Sequence, residues 1–315
     1  MSVSESTARL DIDVLVQGWR EYEAKSPTSI PIVKFAAKTD MGQVRENNED
    51  KFEFYEPEEP GILATRGSLY AVADGVGGAQ AGQIASELML KRLISGYYNH
   101  PAADPQAALY ETCAEVNDYL FSVSRTIPER SGMGTTLVGL VLIENQTIVV
   151  QIGDSRAYLL RDGLFRQVTV DHSWVEEQVR AGYMTREEAE KSPFRNVITR
   201  CVGANPTVTP ELYAEETLPG DCWLLCTDGI SGLIEQAELA QLVAHNSPSE
   251  AARQCIELAN ARGGNDNMTV FVISIRSLKA YSPAAAGVLP VSEMIYAEEI
   301  AEVEPVKKKR FSLFG

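Results

Sequence analysis

The chain has 315 residues, 44% of them hydrophobic and 23% charged, with a net charge of −16. That composition fits one large folded domain with tails, and the negative balance excludes a general nucleic-acid binder. Carboxylates in such excess either solubilise the surface or converge on cations, and their placement decides between the two.

At the start of the chain, Ile12, Leu15, Trp19 and Tyr22 recur at helical spacing, which predicts a short amphipathic helix within an N-terminal extension, residues 1–30. Ser26-Pro27 and Ile30-Pro31 end it. The first residues lack the basic start and apolar run of a signal peptide. No apolar run reaches the roughly 20 residues that span a bilayer. The cysteines are Cys113, Cys201, Cys222, Cys226 and Cys255, with no CxxC pair among them. Cys222 and Cys226, flanking a run of large apolar residues, read as buried small hydrophobes, which fits a reducing compartment, so the cytoplasm is the expected location.

The main body spans residues 31–279. Runs rich in Val, Ile, Leu and aromatic residues predict strands at Ile32–Ala37, Lys51–Tyr55, Leu69–Ala73, Thr135–Ile143, Thr147–Ile152, Ala157–Arg161, Leu164–Val168, Cys222–Cys226 and Met268–Ile275. Glu144-Asn145 and Asp162-Gly163 mark hairpin turns. Helical stretches fall at Gly82–Tyr97, Pro105–Ser124 and Pro248–Ala261. Hairpin-linked strands with helices between the groups predict antiparallel sheets covered by helices, not a βαβ repeat. Residues 169–218 are mixed, with short helices at Ser173–Ala181 and Thr185–Lys191; Thr185 followed by Glu188 fits a capping box. This irregular insertion is where a substrate-facing flap is expected. His172 opens it and reads as a local hydrogen-bonder that orders the flap, with direct substrate handling as the other reading. His100 and His245, at helix ends, read as surface residues. Residues 280–315, acidic and ending in KKKRFSLFG, read as a disordered tail.

Four acids share one setting, an apolar strand meeting a polar or Gly-containing turn: Asp74 in LYAVADGVGG, Asp154 in QIGDSRAYL, Asp228 in WLLCTDGIS and Asp266 in GGNDNMTV. Asp50 ends RENNED. A strand fixes where its terminal carboxylate points, so strand ends can aim acids from distant parts of a chain at one place. Clustered carboxylates repel one another unless cations neutralise them. An all-oxygen set selects Mg²⁺ or Mn²⁺, and the lack of sulfur and imidazole argues against zinc. Gly75, without a Cβ, lets the backbone approach a cation and offer its carbonyl.

RENNED, VADGVGG, GMGTTLVG, GDSRAYL, DHSWVEEQVRAG, CTDGIS and GGNDNMT, in that order, resemble the metal-dependent, type 2C serine/threonine protein phosphatases in their bacterial form. The resemblance covers about residues 32–278. It implies an α+β fold: a four-layer α/β/β/α sandwich of two antiparallel sheets flanked by helices. It implies hydrolysis of phosphoserine or phosphothreonine by a metal-activated water, with two or three ions of Mn²⁺ or Mg²⁺ as cofactors. Asp74 takes the place of the acid bridging two metals, with the Gly75 carbonyl beside it. Glu49 and Asp50 match the acidic pair near the second metal. Asp228 and Asp266 match the remaining ligands of the first, and Asp154 the ligand of a third, shared with Asp228. Arg45 matches the arginine that grips the substrate phosphate, as a guanidinium fork suits it to do. Asn267 follows Asp266 as a supporting residue.

The chain departs from the family pattern at Val76, where many members carry a histidine, and at Gly232, where many carry an aspartate. Val76 cannot donate a proton, which leaves a cation-bound water as the expected general acid. The expected partners are phosphorylated proteins, a Ser/Thr kinase and its substrates among them, with no nucleic acid and no transmembrane segment, acted on by a monomer. Two other readings remain open at this stage. One is a phosphatase of a small regulatory anti-sigma antagonist, which often carries a sensor domain. The other is a non-catalytic phosphoprotein-binding module, which the full set of acids opposes.

Overall fold

The computed structural model describes residues 27–77, 79–281 and 293–294. The expected N-terminal helix and nearly all of the expected tail lie outside the described residues.

Two sheets form the centre. One has five strands, in the order β10-β7-β6-β3-β2: β2 (Lys51–Tyr55), β3 (Ser68–Ala73), β6 (Leu137–Ile143), β7 (Gln146–Ile152) and β10 (Glu211–Glu216). The other has six, in the order β13-β1-β12-β11-β8-β9: β1 (Ser29–Asp40), β8 (Arg156–Arg161), β9 (Leu164–Gln167), β11 (Cys222–Cys226), β12 (Met268–Ala280) and β13 (Glu293–Met294). All neighbours are antiparallel except β13, which runs parallel to β1. A two-residue pair, β4 (Gly75–Val76) with β5 (Gly134–Thr135), sits apart from both sheets.

The period-2 alternation of strand side chains explains why both sheets are sandwiched. In β3, Tyr70 and Val72 face the other sheet, while Leu69, Ala71 and Ala73 face helices. In β11, Trp223 and Leu225 point between the sheets, while Leu224 and Cys226 point to the opposite helices. Both faces are buried, so these strands read as unbroken apolar runs. Tyr70 meets Phe35 and Phe271 edge-on between the sheets, and Phe35 and Phe271 meet at a tilt, with centroids 5.2 to 5.7 Å apart. Each large side chain buried there contributes roughly 1.5–3 kcal/mol, and truncating Trp223 to alanine would cost about 3–5 kcal/mol.

The outer face of the five-stranded sheet is covered by α2 (Ala79–Asn99) and α3 (Pro105–Thr126), and α1 (Pro60–Arg66) packs against β6 and α2. Asp104 caps α3 by accepting from Ala107 N, with Pro105 at the first helical position. The outer face of the six-stranded sheet carries α7 (Gln236–His245) and α8 (Pro248–Ala261). The layers are therefore helix, sheet, sheet, helix: an α+β sandwich as expected. All five cysteines are free, and four are buried.

Strand β10 falls inside the stretch read as irregular. It is the outer strand of its sheet and carries Glu211, Glu215 and Glu216, so it lacks the apolar signature of its neighbours. The segment between β9 and β10 holds α4 (Trp174–Arg180), capped by Ser173, and α5 (Arg186–Glu190), which has the expected Thr185–Glu188 capping box. His245 is exposed at the end of α7, but the side chain of His100 is only 5% exposed and faces Glu111 and Glu115. His100 Nδ1 accepts from Ala102 N at 3.2 Å, so the ring folds back on its own chain.

Candidate active site

Five acids arrive from the ends of strands in both sheets. Asp50 immediately precedes β2, Asp74 follows β3, and Asp154 lies in the turn from β7 to β8. Asp228 follows β11 and begins α6 (Asp228–Ser231), and Asp266 stands just before β12. The fold brings all five within electrostatic reach: Asp74 is raised by Asp50, Asp228, Asp154 and Asp266 together. Glu49 is buried beside Asp50 and feels Arg45 and Asp266.

Short-range bonds hold these acids in place. Asp74 N donates to Thr136 Oγ1 at 3.0 Å, and its carbonyl accepts from Thr136 N and Thr135 Oγ1, both at 2.8 Å. Thr227 Oγ1 donates to Asp50 Oδ2 at 2.8 Å and accepts from Thr269 N at 3.0 Å. Asn267 accepts from Glu49 N at 2.8 Å and donates to the carbonyls of Met41 and Asn47, pinning the loop that carries Arg45 and Glu49. Close backbone approach completes the corner. A Cβ at Gly75 would stand 2.2 Å from Gly82 O, and one at Gly82 would stand 1.8 Å from Glu49 Oε2.

Burial, and after it mutual repulsion, drives the carboxyls toward their protonated forms. Asp50 is pushed up to about 7, chiefly by burial and further by Asp228 and Asp266. Asp74 and Asp154 are raised well above the usual carboxylate range, again by burial first. Asp228 is raised by burial and by Asp266. The buried oxygens Asp50 Oδ1 and Asp228 Oδ1 have no hydrogen-bond donor. Leaving such an oxygen unpaired costs about 1–3 kcal/mol, and more if it is charged. Among the described residues, no three acid, histidine or cysteine side chains close into a finished cage around one point. The donor chemistry nevertheless suits hard divalent cations: oxygens only, crowded, buried, and two of them unsatisfied.

Beside the acids lies a cleft of about 1,420 Å³, lined on one wall by Asp154, Asp228 and Asp266 and on the other by Glu176, Arg186 and Arg195 of the segment between β9 and β10. Arg45 borders the acids, donating from Nη2 to Asp266 Oδ2 at 2.8 Å. Val76 is 36% exposed at the two-strand pair.

Several residues that shape this site escaped the sequence reading. Thr136 and Thr227 support Asp74 and Asp50, but their partners are 62 and 177 positions away. Arg156 grips Asp171 through Nε and Nη2, at 3.0 and 2.6 Å. Both residues lie inside quoted motifs, GDSRAYL and DHS, and only the pairing of β8 with the start of the flap joins them.

The family profile described as protein phosphatase 2C matches residues 37–178. A serine/threonine phosphatase, stp, of Listeria innocua is 33% identical over 242 residues, covering 75% of this chain and 93% of the relative. The structure of the Streptococcus agalactiae serine/threonine phosphatase superposes with a TM-score of 0.71 at 30% identity, over 78% of this chain and all of that one. The crystal structure of the catalytic domain of the serine/threonine protein phosphatase PstP in complex with two manganese ions superposes with a TM-score of 0.67 at 35% identity, over 78% of this chain and 99% of that one.

Proposed function

The chain belongs to the protein phosphatase 2C family of metal-dependent serine/threonine protein phosphatases, and on that premise we propose how its own residues carry the reaction. Asp74, Asp228 and Asp266 would hold one cation; Asp74, the Gly75 carbonyl, Glu49 and Asp50 would serve a second; and Asp154 with Asp228 would hold a third. When bound, Mn²⁺ or Mg²⁺ supplies activation of a water as nucleophile and offsets charge developing at phosphorus.

The protein's part is placement. A phosphoserine or phosphothreonine carries nearly two negative charges at pH 7, and a bare carboxylate cluster would repel it. Arg45, at the rim of the acids, grips two phosphate oxygens as a fork. Asn267 and Thr227 keep the Arg45 loop and Asp50 in register with β12 and β11. The cleft beside Asp154 and Asp228 receives the polypeptide around the phosphoresidue. No side chain need act as nucleophile: the cysteines Cys113, Cys222 and Cys226 are buried, with thiols pushed to about 12 or beyond by burial.

The observation that carries this reading is the pair of donorless buried oxygens, Asp50 Oδ1 and Asp228 Oδ1, in a cluster whose members raise one another's pKa. The physiological substrates in this reading are phosphoproteins made by a Ser/Thr kinase, met by a monomer in the cytoplasm. Free thiols suit a reducing compartment, and among the described residues no helix is long and apolar enough to cross a membrane. The test is hydrolysis of a phosphothreonine peptide with Mn²⁺, with Mg²⁺ and with EDTA, beside Asp74→Asn and Asp228→Asn. Turnover that needs a cation and both aspartates is the expected result. Cation binding without turnover would favour a phosphoprotein-binding module instead.

A further inference from the structure

One buried titratable side chain next to the acids has no part in the scheme above. His172, 4% exposed, stands where the chain leaves β9 for the flap. It clamps Gly153 at two points. His172 N donates to Gly153 O at 2.9 Å, and Gly153 N donates to His172 Nδ1 at 3.0 Å. Gly153 immediately precedes Asp154. It has φ of +105°, and a Cβ there would stand 2.6 Å from the Thr136 side chain. The turn thus carries no side chain of its own at that position, and its backbone is held from outside.

The rest of the ring faces the far end of the flap. Nε2 lies 3.3 Å from Glu211 Oε1, at the start of β10. Arg200 Nη1 donates to that same oxygen at 2.9 Å. The carbonyl of His172 accepts from Thr199 N at 2.7 Å. With Nδ1 accepting from Gly153, a neutral ring carries its proton on Nε2, which stands between Glu211 Oε1 and Arg200 Nη1, the latter at 3.2 Å. Burial and the Arg200 charge lower the pKa of the ring, which keeps it in that neutral form. One imidazole therefore joins the Asp154 turn to both ends of the flap.

We propose that His172 is a positioning residue for Asp154: its Nδ1 fixes the Ile152–Gly153 peptide that leads into Asp154, so the cation affinity of the Asp154 carboxylate depends on that acceptor. The inference rests on the reading that Asp154 holds a cation. It predicts a pattern set by geometry. Asparagine can place its Oδ1 where Nδ1 stands, whereas glutamine carries its amide one bond further out and alanine carries none.

The experiment titrates Mn²⁺ alone into the full chain and counts free ion by electron paramagnetic resonance, for the wild type, His172→Asn, His172→Gln, His172→Ala and Asp154→Asn. The expected result is that Asp154→Asn abolishes the weakest class of site. His172→Gln and His172→Ala should weaken that class about tenfold, leaving the tighter sites unchanged, while His172→Asn stays within about threefold of the wild type. If Asp154→Asn removes a site but all three His172 variants keep the wild-type isotherm, or asparagine fails as alanine does, the positioning role is overturned and the reading of Asp154 stands. If Asp154→Asn changes no site, that reading falls and the positioning role with it. Should His172→Ala fail to fold, the contrast between asparagine and glutamine still decides.

Discussion

Arg45 and Asp266 form an ion pair at 2.8 Å, between a side chain assigned to the substrate phosphate and one assigned to a cation. The two are 49% and 38% exposed, so the pair itself adds little stability, about 0–1 kcal/mol. It is weak enough to be exchanged, so in the proposed scheme Arg45 can trade the Asp266 carboxylate for a phosphate.

Arg45→Ala should lower kcat/KM for a phosphothreonine peptide about 10- to 100-fold, mostly through KM. A charge-assisted hydrogen bond contributes about 1.5–3 kcal/mol, and about 1.4 kcal/mol is tenfold. Mn²⁺ should bind the variant no more weakly than the wild type, since Asp266 loses a competing cation. Initial rates and a Mn²⁺ titration check both parts. A loss confined to kcat, with weaker Mn²⁺ binding, would mean that Arg45 supports the acids instead.

Cation removal should lower thermal stability. A ligand at 100 times its Kd stabilises the folded state by about 2.7 kcal/mol, and for a domain of this size 1 kcal/mol is about 2–4 °C. The expected gap between Mn²⁺ and EDTA is therefore about 5–10 °C by scanning fluorimetry. Asp74→Asn, which removes a carboxylate charge at the centre of the cluster, should shrink that gap by more than half. An undiminished gap would remove Asp74 from the cation site.

Gly82→Ala should damage the site from behind. Its Cβ would meet Glu49 Oε2 at 1.8 Å and the Gly75 backbone at 2.8 Å, and the latter cannot rotate away. Overpacking of this kind costs about 1–3 kcal/mol. A urea midpoint lowered to match, with weakened Mn²⁺ binding, is expected. A variant with wild-type values in both measurements would show that the Glu49 corner is soft.

The lowered pKa of His172 makes a signed prediction. Burial is its largest cause and the Arg200 charge adds to it, while Glu211 and Asp171 oppose them. The unfolded chain then takes up the proton more readily than the folded one. The stability from the neutral ring is fully present above the ordinary histidine value of about 6.5 and is lost as pH falls below it. In saturating Mg²⁺, the stability advantage of wild type over His172→Asn should be larger at pH 7.5 than at pH 5.5. An advantage that grows on acidification would show that the ring is charged in the fold.

Much of the architecture was legible because its strands are apolar on both faces and end at Gly- or Asp-bearing turns. Lys51–Tyr55 and Cys222–Cys226 appear with the bounds read from sequence, as does the helix Pro248–Ala261. Strand β10 was not, because Glu-Leu-Tyr-Ala-Glu-Glu reads as surface and becomes a strand only by pairing with β7. Helix α7 was missed for a related reason: its capping box is built from Glu235 and Glu238, not from the Ser or Thr that usually signals a start. The acids were visible as a class because strand ends expose them. Asn267 was expected as a support, but the contacts themselves were not legible, since Thr227 meets Asp50 and Asn267 meets Glu49 only after the two sheets have stacked.

The acids come from both sheets, with Asp50 and Asp74 flanking strands of the five-stranded sheet and Asp228 and Asp266 flanking strands of the six-stranded one. A cation held between them is therefore a rivet through the seam as well as a reagent. In amide hydrogen exchange, the ion-loaded chain should open as one cooperative unit, with β3 and β11 sharing a single opening free energy. Stripped of ions, the seam loses that tie, and each sheet should exchange on its own schedule. The feature that equips the site for phosphate chemistry thus also sets how far the two halves of the domain unfold independently.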